Sequence, residues 1–168
     1  MPLITIRDAT PDDAAGVVAI LTPIIEARTF TAFDTPFTVD DERRFIERLP
    51  VRGIFHVAVD TNEERIVGLQ NVAPFGDYTR AFDHVGVIGT YVDLTRRRQG
   101  IATQLFEATV RAAAGKGYQK LFAYVRADNP AALAMYTNRG FAVIGTAFRH
   151  AKIDGRYIDE ILIERWLT

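Results

Sequence analysis

The chain has 168 residues, 48% of them hydrophobic and 24% charged, with a formal net charge of −1 at pH 7 and no cysteine. That length suits one domain spanning residues 1–168 with a sizeable core. The lack of cysteine excludes disulfides and thiolate chemistry, and the near-neutral charge argues against a nucleic-acid or membrane-surface partner, both of which favour basic excess.

Residues 3–7 read as a strand. Thr10-Pro11-Asp12-Asp13 is an N-cap, a proline at N1 and acids in the first turn, opening a helix to about Leu21. Residues 22–37 read as irregular and aromatic, with Phe30, Phe33 and Phe37, and Thr38 caps a second helix to Leu49. Residues 54–59 and 65–72 alternate about a polar turn, a hairpin pattern. A polar loop over 77–83 leads to a strand at 85–92. In a helix over 99–114, Ile101, Leu105, Ala108, Thr109 and Ala112 share one face, and Gly115 and Gly117 end it. A strand at 121–125, a helix at 130–139 and a strand at 141–146 follow, and Asp154-Gly155 turns the chain into a last strand ending near Leu167. The order β-α-α-β-β-β-α-β-α-β-β predicts an α+β fold of mixed α/β layers, a twisted sheet with helices on both faces.

Residues 92–105, VDLTRRRQGIATQL, carry the most chemistry. They read as a strand end, a basic turn and a helix N-terminus. The free N–H groups of a first helical turn carry partial positive charge and bind anions. Gly100 and Ala102 let a phosphate approach the backbone closely, and Arg96, Arg97 and Arg98 add charge-assisted hydrogen bonds. His56, His84 and His150 lie far apart without ligand spacing, so no metal is expected. No apolar run approaches a membrane span, and the first residues reach charge at Arg7 without a secretory core; no membrane association and a cytoplasmic location are expected.

Arg97-x-x-Gly100-x-Ala102 resembles the Arg/Gln-x-x-Gly-x-Gly/Ala motif with which the GNAT superfamily of acyl-CoA-dependent N-acetyltransferases cradles the coenzyme A pyrophosphate. Downstream, Asn129 to Tyr136, closed by Gly140-Phe141, resembles that family's Asn-x-x-Ala-x-x-x-Tyr-x-x-x-Gly-Phe stretch. The resemblance implies a twisted, mostly antiparallel sheet of about seven strands whose fourth and fifth strands splay apart to admit the pantetheine arm. It implies acetyl-CoA as co-substrate, no metal, and a coenzyme site at Tyr91, Val92, Arg97, Arg98, Gln99, Gly100, Ile101, Ala102, Thr103 and Asn129. Backbone groups of Tyr91 and Val92 would pair with pantetheine, and an N–H near Tyr91 would hold the thioester oxygen.

Attack of an amine on a thioester poses two proton problems. A lysine-like amine is mostly charged at pH 7, a deficit of roughly 4.6 kcal/mol, and the departing thiolate benefits from a proton. Tyr136 stands where the family places its tyrosine acid. The base is open. Val87 occupies the nearest equivalent of a fourth-strand glutamate in the phosphinothricin-type enzymes, and Tyr124 that of a fifth-strand glutamate. Tyr124 through a water, Asp93, His84, Asp34 or a water relay are the alternatives.

Residues 28–38 and 152–159 resemble the phosphinothricin and amino-acid acetyltransferase subfamily, which implies a small amino-acid-like amine as substrate, with Phe33 and Asp34 lining its site, and a homodimer formed near Phe30–Phe37 and the last strand. A polyamine, an aminoglycoside-like amine or a protein N-terminus are alternative acceptors. A non-catalytic acyl-CoA-binding domain and a nucleic-acid binder using Arg96–Arg98 are the other function classes.

Overall fold

A computed structural model describes residues 3–167; residues 1, 2 and 168 of the expected domain lie outside the described residues. Seven strands form one sheet in the order β1-β2-β3-β4-β5-β7-β6. They are β1 (Ile4–Asp8), β2 (Ile54–Asp60), β3 (Arg65–Pro74), β4 (Val85–Val92), β5 (Lys120–Arg126), β6 (Ala142–Ile153) and β7 (Arg156–Trp166). The helices are α1 (Ala14–Glu26), α2 (Val39–Glu47), α3 (Ile101–Gly115) and α4 (Pro130–Thr137). Every strand pair is antiparallel except β4 with β5.

Strand alternation sends one set of side chains to each layer. On one face Val17, Ile20, Leu21 and Ile24 of α1 pack on Phe55, Val57 and Leu69. On the other, Ile101 and Leu105 of α3 pack on Ala58 and Val67, while Phe106 and Tyr136 join Val72, Ile88, Leu121 and Ile163. Of the expected α3 stripe Ile101, Leu105 and Thr109 are buried, joined by Phe106 and Ala113, while Ala108 and Ala112 are half-buried.

Helix α1 runs five residues beyond the expected end at Leu21, through Pro23. Proline removes one helical N–H, but Ile24 and Ile25 are buried beyond it, and their burial outweighs the lost bond. Strand β6 is also longer than expected. It is a largely exposed edge with register shifts at Val143/Gly145 and Ala147/Ala151, so backbone pairing to β7 rather than apolar alternation holds it. Asp154 and Gly155, at φ 49 and 76, make the expected tight turn.

One topological feature positions the site. Strands β4 and β5 pair only at Val85–Val87 with Lys120–Phe122. Beyond those three residues they diverge, and the wedge opens toward the N-termini of α3 and α4.

Candidate active site

Two cavities meet at this wedge and share Phe30, Thr90, Tyr91, Asn129, Ala132 and Met135 on their walls. One, of about 640 Å³, lies at the β4–α3 turn. The other, of about 870 Å³, lies among aromatic side chains beneath α2.

Asp93 organises the β4–α3 turn. Its carboxylate accepts from the Thr95 N–H at 2.8 Å and from Arg65 at 2.7 Å, and its carbonyl accepts from the Arg96 N–H. Arg98 and Gly100 then adopt left-handed φ values of 59 and 77. Gly100 is the N-cap of α3, and no side chain caps the helix. The first-turn N–H groups of Ile101, Ala102 and Thr103 therefore face the cleft without intrahelical partners. A Cβ built on Gly100 meets no protein atom within 4 Å, so the space before this backbone is open. The residues present thus fit a pyrophosphate.

The three arginines divide. Arg97 and Arg98 line the cleft and have no ion-pair partner among the described residues; Arg97 lies over the Phe30 ring at 4.2 Å. Arg96 lines the cleft too but is committed to the fold: it pairs with buried Asp60 and with Glu63, and its Nε donates to Gln99 Oε1 at 2.9 Å. The pairing holds Asp60 below the usual carboxylate range. Gln99, expected at the coenzyme, is therefore turned to Arg96 and lines neither cavity. The Ile101 side chain is core, so only its backbone can serve a ligand. Thr103 Oγ1 accepts from Arg139 at 2.6 Å, a cation of this cleft that closes the second motif and had no role assigned from sequence.

Register corrects the expected backbone contacts of Tyr91. The Asp93 N–H bonds the Val67 carbonyl and the Phe75 N–H bonds the Val85 carbonyl. Antiparallel pairing alternates by two, so Tyr91, opposite Leu69, spends its backbone groups on β3. Those of Thr90 and Val92 face the wedge instead. The Tyr91 ring stacks on Phe33 at 6.1 Å, and burial raises the pKa of its hydroxyl.

Tyr136 reaches the wedge from α4. Its ring packs edge-on against Phe106 and Phe141, and its hydroxyl donates to Thr90 Oγ1 at 3.0 Å. Gln70 Nε2 donates to the same Thr90 oxygen at 2.8 Å. Burial pushes the Tyr136 hydroxyl well above its ordinary pKa, outweighing the Thr90 bond, so it stays protonated. Asn129 caps α4 by accepting from the Ala132 N–H at 3.2 Å, and its Nδ2 donates to the Phe30 carbonyl.

The base candidates separate sharply. Tyr124 is on the wall of the larger cavity, stacked on His150 at 6.0 Å. Val87 lines it too, so this part of β4 presents an apolar wall. Asp93 is tied into the turn, His84 stacks on Trp166, and Asp34 lies outside the lining although neighbouring Phe33 is on it. Sequence reading missed two buried acids on the same wall, Glu42 of α2 and Glu160 of β7, and the exposed Asp41 beside Glu42. Each buried acid carried a signal: Glu42 shares a helical stripe with Phe45 and Ile46, and Glu160 stands between Ile158 and Leu162 on one strand face.

Among the described residues no group of three or more His, Cys, Asp or Glu could hold a metal, and no helix is long and apolar enough to cross a membrane. The family profile for the Acetyltransferase (GNAT) family matches residues 23–141. YwnH of Bacillus subtilis (strain 168), which carries the name of a phosphinothricin acetyltransferase, is 26% identical over 164 residues, covering 98% of this chain and 99% of its own. The crystal structure of a GNAT superfamily phosphinothricin acetyltransferase from Sinorhizobium meliloti in complex with AcCoA superposes with a TM-score of 0.88 at 20% identity, covering 98% of this chain and 89% of that one. That of a ribosomal-protein-alanine N-acetyltransferase from Brucella melitensis does so at 0.87 and 24%, covering 96% and 99%.

Proposed function

The chain belongs to the acetyltransferase (GNAT) family and is an acyltransferase, and from that premise we propose that it moves an acetyl group from acetyl-CoA to the primary amine of a small molecule. The observation that carries this reading is the continuity of the two cavities: an uncapped, basic helix N-terminus opens through splayed strands onto a buried, protonated tyrosine.

The coenzyme pyrophosphate is held by the α3 first turn with Arg97, Arg98 and Arg139, and its arm runs along the free edge of β4 at Thr90 and Val92, beside Asn129. A Thr90 N–H faces the side where the thioester oxygen develops charge, a one-donor oxyanion site. The neutral amine attacks the carbonyl carbon, the carbon–sulfur bond breaks, and Tyr136 gives its proton to the leaving thiolate. Tyr124 relays the proton lost by the attacking amine through water to bulk solvent, Tyr136 regains a proton from solvent, and Phe33 shapes the acceptor's approach. Residues 1–168 form one N-acetyltransferase domain working in the cytoplasm, as a homodimer joined near Phe30–Phe37 and the last strand.

The test is calorimetric titration with acetyl-CoA, followed by thiol release over a panel of amines. Binding with turnover supports the reading; absence of acetyl-CoA binding overturns it. Sedimentation at high concentration giving a single 18.8 kDa species refutes the dimer.

A further inference from the structure

The wall of the larger cavity is aromatic and acidic. Phe33, Phe37, Phe45, Phe55 and Tyr124 supply rings, and three acids line it: Asp41 at the exposed rim, paired with Arg44 at 2.8 Å, and the buried Glu42 and Glu160. Glu42 and Glu160 are 5% and 7% exposed, and no hydrogen bond or ion pair with the described residues occupies either carboxylate. They approach from opposite sides. Alternation puts Glu160, opposite Arg126 on β5, on the same sheet face as Tyr124 and Phe122, and α2 brings Glu42 down over that face.

Positive charge is scarce. Arg126 is the one cation of this wall among the described residues, and it is already spent. It grips Asp128 through two bonds of 2.8 and 2.7 Å and donates to the Thr31 carbonyl at 3.1 Å. An acceptor bearing its own carboxylate or phosphinate would bring an anion into a half-enclosed space beside unpaired carboxylates, with no free cation to meet it. Burying such an anion is costly. An organic ammonium meets the opposite situation. It supplies the missing partner to the carboxylates, and the rings accept both its apolar body and its charge.

We propose that this cavity takes an anion-free organic ammonium, a primary amine on an apolar or aromatic body, with Glu160 and Glu42 receiving the cation, and that it discriminates against amino acids. The proposal rests on the acetyltransferase reading and names its substrate class. It departs from what the names of the phosphinothricin acetyltransferase relatives suggest. Burial raises both carboxyls, the cost of leaving each ionised group without a partner, and a bound ammonium would offset it. For Glu160, Arg126 from β5 and His150 from β6 act the other way without cancelling it.

The experiment compares phenethylamine, phenylalanine, phenylalanine methyl ester and phosphinothricin. Each is titrated into protein saturated with coenzyme A and assayed for thiol release with acetyl-CoA. Phenylalanine adds only a carboxylate to phenethylamine, and the ester masks that charge. The expected result is kcat/KM at least about a hundredfold higher for phenethylamine than for phenylalanine, with the ester restoring most of the loss. Glu160→Gln and Glu42→Gln keep side-chain shape; each should weaken phenethylamine binding by about tenfold or more and narrow the gap to phenylalanine. Phenylalanine or phosphinothricin bound or acetylated as well as phenethylamine overturns the proposal, as do glutamine variants with unchanged amine affinity. Failure to bind acetyl-CoA overturns the acetyltransferase reading instead, and the amine titrations, repeated on protein without coenzyme, then still decide what the cavity selects.

Discussion

Replacing Tyr136 with phenylalanine separates catalysis from packing. The substitution keeps the ring against Phe106 and Phe141, at 5.5 and 5.1 Å, and removes only the hydroxyl that donates to Thr90 Oγ1. Thr90 keeps its bond from Gln70, so no buried oxygen is stranded, and the loss of stability should be that of one net hydrogen bond, about 0.5–1.5 kcal/mol. Coenzyme affinity should barely change, because the hydroxyl matters mainly once charge develops on sulfur. Turnover should respond strongly. General acid catalysis contributes about 10²–10⁴-fold, roughly 2.7–5.4 kcal/mol of barrier at about 1.36 kcal/mol per decade. Partial substitution by water still leaves a fall in kcat of at least about tenfold. The assay is steady-state thiol release at saturating acetyl-CoA with an active amine. Because burial raises the Tyr136 pKa, the wild-type rate should show no alkaline loss from this group up to pH 9. Turnover of Tyr136→Phe within about twofold of wild type would exclude a general-acid role in a rate-limiting chemical step.

Gly100→Val should fold, because its Cβ meets no protein atom within 4 Å, at a cost of about 1–2 kcal/mol for the left-handed conformation; acetyl-CoA should bind at least about tenfold more weakly by calorimetry, and unchanged affinity would refute the phosphate placement. Gly86→Ala should destabilise by about 1–3 kcal/mol in urea unfolding, since the new Cβ would lie 2.6 Å from Val72 Cγ1 and 3.2 Å from Tyr118. His56 is buried against Thr109, and desolvation lowers its pKa more than Asp8 raises it. The unfolded chain thus binds its proton first, so stability is full above about pH 6.5 and falls as pH drops toward the folded pKa. Thermal melts should show a smaller loss between pH 7.5 and 5.5 in His56→Gln than in wild type.

Local chemistry was legible along the chain. The Thr38 cap, the Asp154-Gly155 turn, the hairpin of β2 and β3, the α3 stripe and the order of the elements each depend on residues close in sequence, and so do the two motifs at Arg97–Ala102 and Asn129–Tyr136. What depends on distant residues was not legible. By sequence α1 ends at about Leu21, yet the core beneath Ile24 and Ile25 carries the helix on through Pro23. Three adjacent arginines looked equivalent until Asp60 and Glu63, more than thirty positions away, claimed Arg96. Which backbone groups of β4 face the wedge depended on its hydrogen-bond phase with β3, and a shift of one residue exchanges Tyr91 for Thr90. The acids of the larger cavity come from α2 and β7, at opposite ends of the chain. A carboxylate's neighbours decide whether it is solvated surface or a buried, unpaired receptor, and those neighbours exist only once the sheet has formed.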